Sequence, residues 1–140
     1  MRTNLGPDDV ADLLAQPIVA VLATRRPDDT ILLSPVWFEW RDGGFNVWAT
    51  PNDKGKVRHI ERDPRVSIVV ANSDWPYKGI EVRGEARLDR DGFYDVLGRT
   101  ARRYFGEEQG AAFASTFTRP GVVIRIEPGE LRAWDYSDEA

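Results

Sequence analysis

Apolar and polar residues alternate in short runs along most of the chain, which predicts a mainly β protein. The alternation is clearest over residues 79–89, where small or apolar residues at every second position are separated by charged ones. That spacing is typical of a strand with one face in the core and the other in water. Comparable runs predict further strands over residues 18–24, 30–41, 45–50, 65–73, 121–127 and 131–136.

A helical period appears at four places between these runs. Residues 7–16 begin with a proline suited to a first helical position, and residues 91–105 carry a stripe that includes Phe93, Val96, Leu97 and Ala101. Shorter helices are predicted over residues 56–63 and 107–117. Short antiparallel strands with helices at their ends favour one domain over residues 1–140, built as a small closed or split β-barrel.

The predicted strand over residues 30–41 is apolar on both faces. One face holds Ile31, Leu33, Pro35 and Trp37, and the other holds Leu32, Val36, Phe38 and Trp40. Since an exposed sheet face is normally polar, both faces are expected to be covered. The protein's own core accounts for one face, and a partner subunit or a planar ligand is the expected cover of the other.

Composition excludes several classes of protein. The chain of 140 residues is 41% hydrophobic and 30% charged, carries a net charge of −4 and has no cysteine. It has no apolar run of about 20 residues, no secretory leader pattern and no broad basic field. We therefore expect a cytoplasmic globular protein that binds neither membrane nor nucleic acid.

Few side chains are suited to hydrolytic or metal catalysis. His59 is the only histidine, and no serine lies in a strand-turn-helix elbow. No set of residues has the spacing of metal ligands, and no pair of acids lies in an apolar run. The remaining prediction is redox chemistry supplied by a bound cofactor, for which the protein provides a groove and charges.

A basic turn follows the strand over residues 45–50. Lys54, Lys56 and Arg58 fall within five residues of one another, close behind Thr50 and at the expected start of a helix. Free backbone N–H groups, the helix dipole and the cations would together favour a phosphate there. A solvated turn that happens to be basic is the other interpretation.

Aromatic residues on neighbouring segments offer walls for a flat ring. Pro35, Val36 and Trp37 lie one hairpin away from the basic turn, and Trp75 and Tyr77 occupy a later loop. Ordinary core or dimer packing explains the same aromatics equally well. Trp48 and Trp134 are predicted to be core residues.

Five segments together resemble the pyridoxamine 5′-phosphate oxidase-like split-barrel family. They are IVAVLAT (18–24), SPVWF (34–38), VWAT (47–50), KGKVRHIERDPRV (54–66) and VRGEA (82–86). The resemblance extends from about residue 8 to residue 135, and within the family it is greatest to the deazaflavin (coenzyme F-420)-dependent oxidoreductases of the B type. It implies a six-stranded antiparallel split barrel of Greek-key topology, capped by helices.

The resemblance also implies a homodimer with two cofactor sites at the subunit interface. Carried over by position, the residues that border the ring are Ser34, Pro35, Val36 and Trp37, and those around the phosphate or acidic tail are Ala49, Thr50, Lys54, Lys56, Val57 and Arg58. Trp75, Tyr77, Lys78 and Gly79 would come from the other subunit. Family members often carry asparagine where His59 stands, so this histidine either has a structural role in the helix or adds a pH-sensitive contact to the anion.

The expected function is a coenzyme F-420-dependent reductase that transfers a hydride to a small organic electrophile such as an enone or imine. Two alternatives remain: an FMN-binding oxidoreductase of the pyridoxamine 5′-phosphate oxidase type, and a non-catalytic protein that binds or stores a flavin, F-420 or heme. The chain is short for a strict oxidase and lacks its C-terminal arginine-rich signature. Lys78, Arg25 and Arg26 are further candidates for contacting an acidic tail, and no catalytic side chain is identified.

Overall fold

The computed structural model describes all 140 residues and contains nine strands and four α-helices. The strands are β1 (Arg2–Leu5), β2 (Ala20–Arg25), β3 (Ile31–Val36), β4 (Phe38–Arg41), β5 (Gly44–Ala49), β6 (Arg65–Ala71), β7 (Lys78–Asp89), β8 (Val122–Ile126) and β9 (Glu130–Asp135). The helices are α1 (Ala11–Ala15), α2 (Lys54–Arg62), α3 (Phe93–Phe105) and α4 (Glu107–Ser115), and a 3₁₀ turn (Pro7–Val10) leads into α1. None of the helices combines the length and the apolar character needed to cross a bilayer.

All strand pairs are antiparallel and follow the order β3-β2-β6-β7-β8-β5-β4, with β9 beside β7 and β1 beside β9. The twelve-residue β7 holds the sheet together. It pairs with β6 on one side, and on the other side first with β9 and then with β8. The predicted split barrel is confirmed, but the six strands that the resemblance implies are wrong. The structure has nine strands, two more than the seven that the alternation predicts.

One extra strand arises because the strand predicted over residues 30–41 is interrupted at Trp37. Val36 pairs with Ala20 of β2, whereas Phe38 pairs with Val47 of β5, so the chain changes partners at this residue. The backbone N–H of Phe38 donates instead to the hydroxyl of Tyr104 at 3.2 Å. The predicted continuous strand is therefore two strands that meet at a corner.

The other unpredicted strand is β1. It has no apolar alternation, and its residues are mostly exposed. It exists because it pairs with β9 near the opposite end of the sequence. No local pattern could reveal such a strand.

The core lies inside the barrel and is continuous. Its fully buried large side chains include Phe38 and Phe45 from β4 and β5, and Ile68 and Ile80 from β6 and β7. Leu13 of α1 and Ile60 of α2 close it from outside the sheet. Each such side chain contributes roughly 1.5–3 kcal/mol of burial. Of the predicted inward face of β7, Ile80 and Val82 are buried, and Gly84, Ala86 and Leu88 are half-buried. The predicted stripe of α3 through Phe93, Val96, Leu97 and Ala101 is buried.

A buried polar network fixes α3 to the β4–β5 hairpin. Glu39 accepts hydrogen bonds from Arg99 Nε at 2.9 Å, from Arg99 Nη2 at 2.8 Å and from Asn46 Nδ2 at 2.8 Å. Burial acts to raise the pKa of the Glu39 carboxyl, but the bonds from Arg99 and Asn46 outweigh it and hold the pKa below its ordinary value. The charged form of Glu39 is thus part of the folded structure.

Candidate functional site

The basic turn lies where β5 runs into α2. The N–H of Asp53 donates to the carbonyl of Thr50 at 3.0 Å, which closes the turn before Lys54 begins the helix. Asp53 is the N-cap residue, yet its side chain makes no capping hydrogen bond. Its carboxylate instead pairs with Lys56. The first turn of α2 therefore keeps uncapped N–H groups beside a basic surface.

Two cavities flank this turn. The first, the aromatic cavity, has a volume of about 230 Å³ and is lined by Pro35, Val36, Trp37, Trp48, Asp53, Lys56 and Phe113. The second, the cationic cavity, has a volume of about 250 Å³ and is lined by Thr50, Pro51, Asp53, Lys54, Val57, Arg58, Glu61, Arg90, Pro120, Gly121 and Val122. Asp53 belongs to both and separates the three cations of the basic turn, with Lys56 on one side and Lys54 and Arg58 on the other.

The aromatic cavity has a wall of rings in mutual contact. Trp37 stacks on Tyr104 with the centroids 4.5 Å apart and an interplanar angle of 8°. Trp48 meets Trp37 edge-on at 6.1 Å, and Phe113 of α4 lies 5.5 Å from Trp37. The indole N–H of Trp48 donates to Thr100 Oγ1 at 2.9 Å, which fixes that ring. Such a wall suits a flat apolar ring system.

Tyr104 anchors this wall to the barrel. Its hydroxyl donates to the carbonyl of Ile18 at 2.6 Å and accepts the N–H of Phe38. Burial raises the pKa of the Tyr104 hydroxyl, so it stays a neutral donor across the physiological range. Trp37 is therefore held between a fixed partner ring and the strand corner.

Lys56 is the most deeply placed cation of the turn. It is only 8% exposed, and its ammonium pairs with Asp53. A nearly buried ammonium is costly without an opposite charge, and Asp53 supplies that charge and orients Lys56. An anion entering the aromatic cavity would meet this ammonium and would compete with Asp53 for it.

His59 has a structural partner. Its Nδ1 and the hydroxyl of Thr24 share a hydrogen bond of 3.1 Å, and Thr24 is completely buried on β2. His59 lines neither cavity. The geometry thus favours the structural role over a contact to the anion.

Two further predicted residues, Ala49 and Ser34, line neither of the two cavities. Ala49 is fully buried at the end of β5, so only its backbone could face a ligand. Ser34 is half-buried on β3 opposite Leu22 and lines neither cavity. The predicted contacts of Ala49 and Ser34 with the cofactor therefore stay predictions.

The second predicted group of residues lies on a separate loop. Trp75 and Tyr77 are about half exposed and form an aromatic cluster with Tyr136. Lys78 donates to Asp12 at 3.1 Å, and Gly79 packs beneath the ring of Trp134. None of the four lines either cavity of its own chain. Their predicted role toward the cofactor of another subunit is therefore a prediction still.

Of the two remaining arginine candidates, Arg26 is held by the carbonyl of Ile31 at 2.8 Å. Arg25 lines a third cavity, of about 370 Å³. That cavity also contains Arg65 and Arg83, which are paired with Asp63 and Glu130. Neither Arg25 nor Arg26 reaches the two cavities beside α2.

Sequence reasoning missed Asp53, Trp48, Phe113 and Arg90. The spacing of Asp53 and Lys56, three residues apart, is a signal for their ion pair. Trp48 was expected in the core, whereas it is half-buried and lines the aromatic cavity. Phe113 and Arg90 come from elements distant in sequence, and no local signal placed them here.

A family model described as pyridoxamine 5′-phosphate oxidase matches residues 7–135. The chain therefore belongs to this family, in agreement with the fold and with the basic turn beside an aromatic cavity. A search of the curated proteins found no match.

Several solved structures share the fold. A conserved hypothetical protein, Rv2991 from Mycobacterium tuberculosis, superposes with a TM-score of 0.80 at 23% identity, covering 96% of this chain and 88% of the other. A protein named F420 reductase has 28% identity and a TM-score of 0.67, with coverages of 86% and 93%. The heme storage protein HutZ from Vibrio cholerae has 17% identity and a TM-score of 0.66, with coverages of 89% and 91%. At these identities the likenesses to Rv2991 and to HutZ show the fold alone.

Proposed function

We propose that this protein is a coenzyme F-420-dependent oxidoreductase that transfers a hydride between the deazaflavin and a small organic electrophile such as an enone or imine. The observation that carries the proposal is the aromatic cavity, in which Trp37, Trp48 and Phe113 face a nearly buried lysine. Similarity to an F420 reductase supports the choice of cofactor.

The donor set of the site fits a phosphorylated tricyclic cofactor. Flat rings need apolar walls, which Pro35, Val36 and Trp37 supply, and a phosphate needs a cation, which Lys56 supplies at the same cavity. The uncapped first turn of α2 adds backbone donors, with Val57 contributing through its backbone. When bound, the deazaflavin would supply the hydride chemistry.

The residues of this chain would bind the cofactor, orient its ring and exclude water. The Trp37 wall would fix the plane of the ring, and Phe113 would limit access of water from the side of α4. Lys56 and Asp53 are the titratable side chains of the aromatic cavity, and Lys56 is assigned to the phosphate, so neither is assigned as the proton donor. The proton is expected from Ser34, from Tyr77 of a second subunit or from solvent.

The protein is further proposed to act as a homodimer through the outer face of β2 and β3. Leu33 is 64% exposed, and Val19 and Ile31 are about half exposed on this face. Pro35 pairs with Val21 in the same register, so the apolar surface is continuous across both strands. A second copy of the chain covers such a patch and brings its Trp75–Tyr77 loop toward the first copy's cofactor.

The cofactor is tested by titrating the ligand-free protein with F-420, FMN and heme, using tryptophan quenching and absorbance. We expect micromolar or tighter binding of F-420 and much weaker binding of FMN. The reverse order transfers the function to an FMN oxidoreductase, as the family allows. A binding or storage protein would be favoured if only heme binds. The same conclusion would follow if the protein with reduced F-420 turns over neither enones nor imines.

The role of Lys56 is tested by Lys56→Met, which keeps the apolar stem and removes the charge. Loss of a charge-assisted bond to phosphate should weaken cofactor binding by roughly 1.5–3 kcal/mol. Arg87→Gln is the matched control, because Arg87 is an exposed cation on β7 that lines neither cavity. Equal affinities of the two variants would remove Lys56 from the site.

The dimer is tested by sedimentation of Leu33→Glu and Tyr94→Glu. Tyr94 is also about half exposed but lies on α3, away from the proposed interface. We expect Leu33→Glu to give monomers and Tyr94→Glu to remain dimeric. A wild-type monomer at micromolar concentration would refute the interface.

A further inference from the structure

The cationic cavity collects basic side chains that have no partner in the protein. Most of the 19 basic residues make an ion pair or hydrogen bond through their side chains. The six that make neither are Arg25, Lys54, Arg58, Arg87, Arg90 and Arg119. Three of these six, Lys54, Arg58 and Arg90, line one cavity. Three unpaired cations around one cavity give it a positive local potential.

The three cations come from separate places in the fold. Lys54 and Arg58 lie one turn apart on α2, and Arg90 directly follows β7. The floor between them is backbone, because a Cβ atom on Gly121 would lie 1.9 Å from the carbonyl oxygen of Ala49. Residue 121 and the end of β5 therefore pack closely at this cavity.

Two acids also line this cavity, Asp53 and Glu61. Asp53 is already paired with Lys56, so its charge is balanced from the other cavity. Glu61 makes no ion pair with any of the three cations. The cavity therefore keeps an excess of positive charge, to which the hydroxyl-bearing Thr50 and the uncapped helix turn add donors.

We propose that the cationic cavity binds a second anionic group, a phosphate or a pair of carboxylates, and that Arg90 is its third cationic ligand. This subsite is distinct from the anion position at Lys56, since Asp53 stands between them. It rests on the proposed function only for the identity of the molecule that carries the anion. That molecule is either an acidic extension of the cofactor or a separate phosphorylated substrate.

The test measures binding of inorganic pyrophosphate and of a tetraglutamate peptide by calorimetry to wild type, Arg90→Gln and Arg87→Gln. Arg90 is exposed and unpaired, so its replacement should leave the thermal midpoint unchanged. We expect Arg90→Gln to weaken binding of at least one probe by about tenfold or more and Arg87→Gln by less than about twofold. Arg90→Lys should restore part of the affinity. Equal affinities of Arg90→Gln and Arg87→Gln for both probes would overturn the proposal.

A second arm identifies the source of the anion with F-420 carrying either no glutamate or several glutamates. A loss in Arg90→Gln confined to the long-tailed form assigns the subsite to the cofactor. A loss of pyrophosphate binding at saturating F-420 assigns it to a separate phosphorylated molecule. If F-420 and FMN fail to bind while pyrophosphate binding depends on Arg90, the proposed function fails and this subsite stands. If F-420 binds and neither Arg90→Gln nor Arg87→Gln alters the affinity for any ligand, this subsite fails and the proposed function stands.

Discussion

Replacing Glu39 by glutamine should destabilise the protein in a pH-dependent way. Glu39 accepts two hydrogen bonds from Arg99 and one from Asn46, and its side chain is 9% exposed. Glutamine keeps the shape but removes the charge and turns an N–H group toward a guanidinium. Arg99 would then be left without a carboxylate.

The size of the effect follows from the exposure of the two partners. Breaking a fully buried ion pair costs about 3–5 kcal/mol, and exposed pairs contribute about 0–1 kcal/mol. Arg99 is 36% exposed, so water compensates it in part. We expect Glu39→Gln to lower the free energy of unfolding by about 2–3 kcal/mol at pH 7.

The pH dependence has a definite sign. The pKa of Glu39 is lowered in the folded protein, so its charged form contributes stability above the unfolded pKa of about 4.3. That contribution is lost as the pH falls through the lower folded pKa. The difference between wild type and Glu39→Gln should therefore be largest at neutral pH and should shrink as the pH falls below about 4.

The assay is urea unfolding followed by tryptophan fluorescence at one fixed protein concentration, because the proposed dimer would make the stability depend on concentration. Glu130→Gln is the control, since Glu130 pairs with Arg83 on the surface and is 72% exposed. Its loss should be below about 1 kcal/mol at any pH. Equal losses in the two variants at pH 7, or a loss in Glu39→Gln that is the same at pH 7 and at about pH 3, would refute the reasoning.

Two further substitutions test the packing around the site. Tyr104→Phe keeps the stack on Trp37 but leaves the N–H of Phe38 and the carbonyl of Ile18 without their partner. Urea unfolding should show a free energy of unfolding lower by about 1–2 kcal/mol. An unchanged midpoint would mean that water replaces the hydroxyl. Gly79→Ala places a Cβ atom 2.2 Å from the ring of Trp134 and should cost about 1–3 kcal/mol, whereas Gly55→Ala, with no atom within 4 Å, should cost nothing measurable or stabilise α2.

Local patterns predicted those elements whose burial follows a regular period. The alternation of β7 and the stripe of α3 lie where expected because one face of each meets the core. The pattern failed at Trp37, where two runs of apolar residues read as one strand although the chain changes pairing partners. Sequence periodicity carries no information about which strand lies alongside.

The sequence predicted the candidate site only where its residues lie close to one another along the chain. The basic turn and residues 35–37 are close in sequence to the strands that position them, and Lys56 does share a cavity with Pro35, Val36 and Trp37. The division of the turn by Asp53 depends on how side chains orient around α2. The approach of Arg90 depends on the β7–β8 pairing, which is set by long-range packing. Neither has a local signature.

The long strand β7 makes the two parts of the split barrel one cooperative unit. Its first half is bonded on both sides, to β6 and β9, and its second half is bonded to β8. Because the same strand belongs to both parts, neither can open while the other keeps all its hydrogen bonds. Amide exchange should therefore be slowest in β7, and its rate there should report global unfolding. No residue of β7 lines the cavities beside α2, so these can open at lower free energy without breaking this strand.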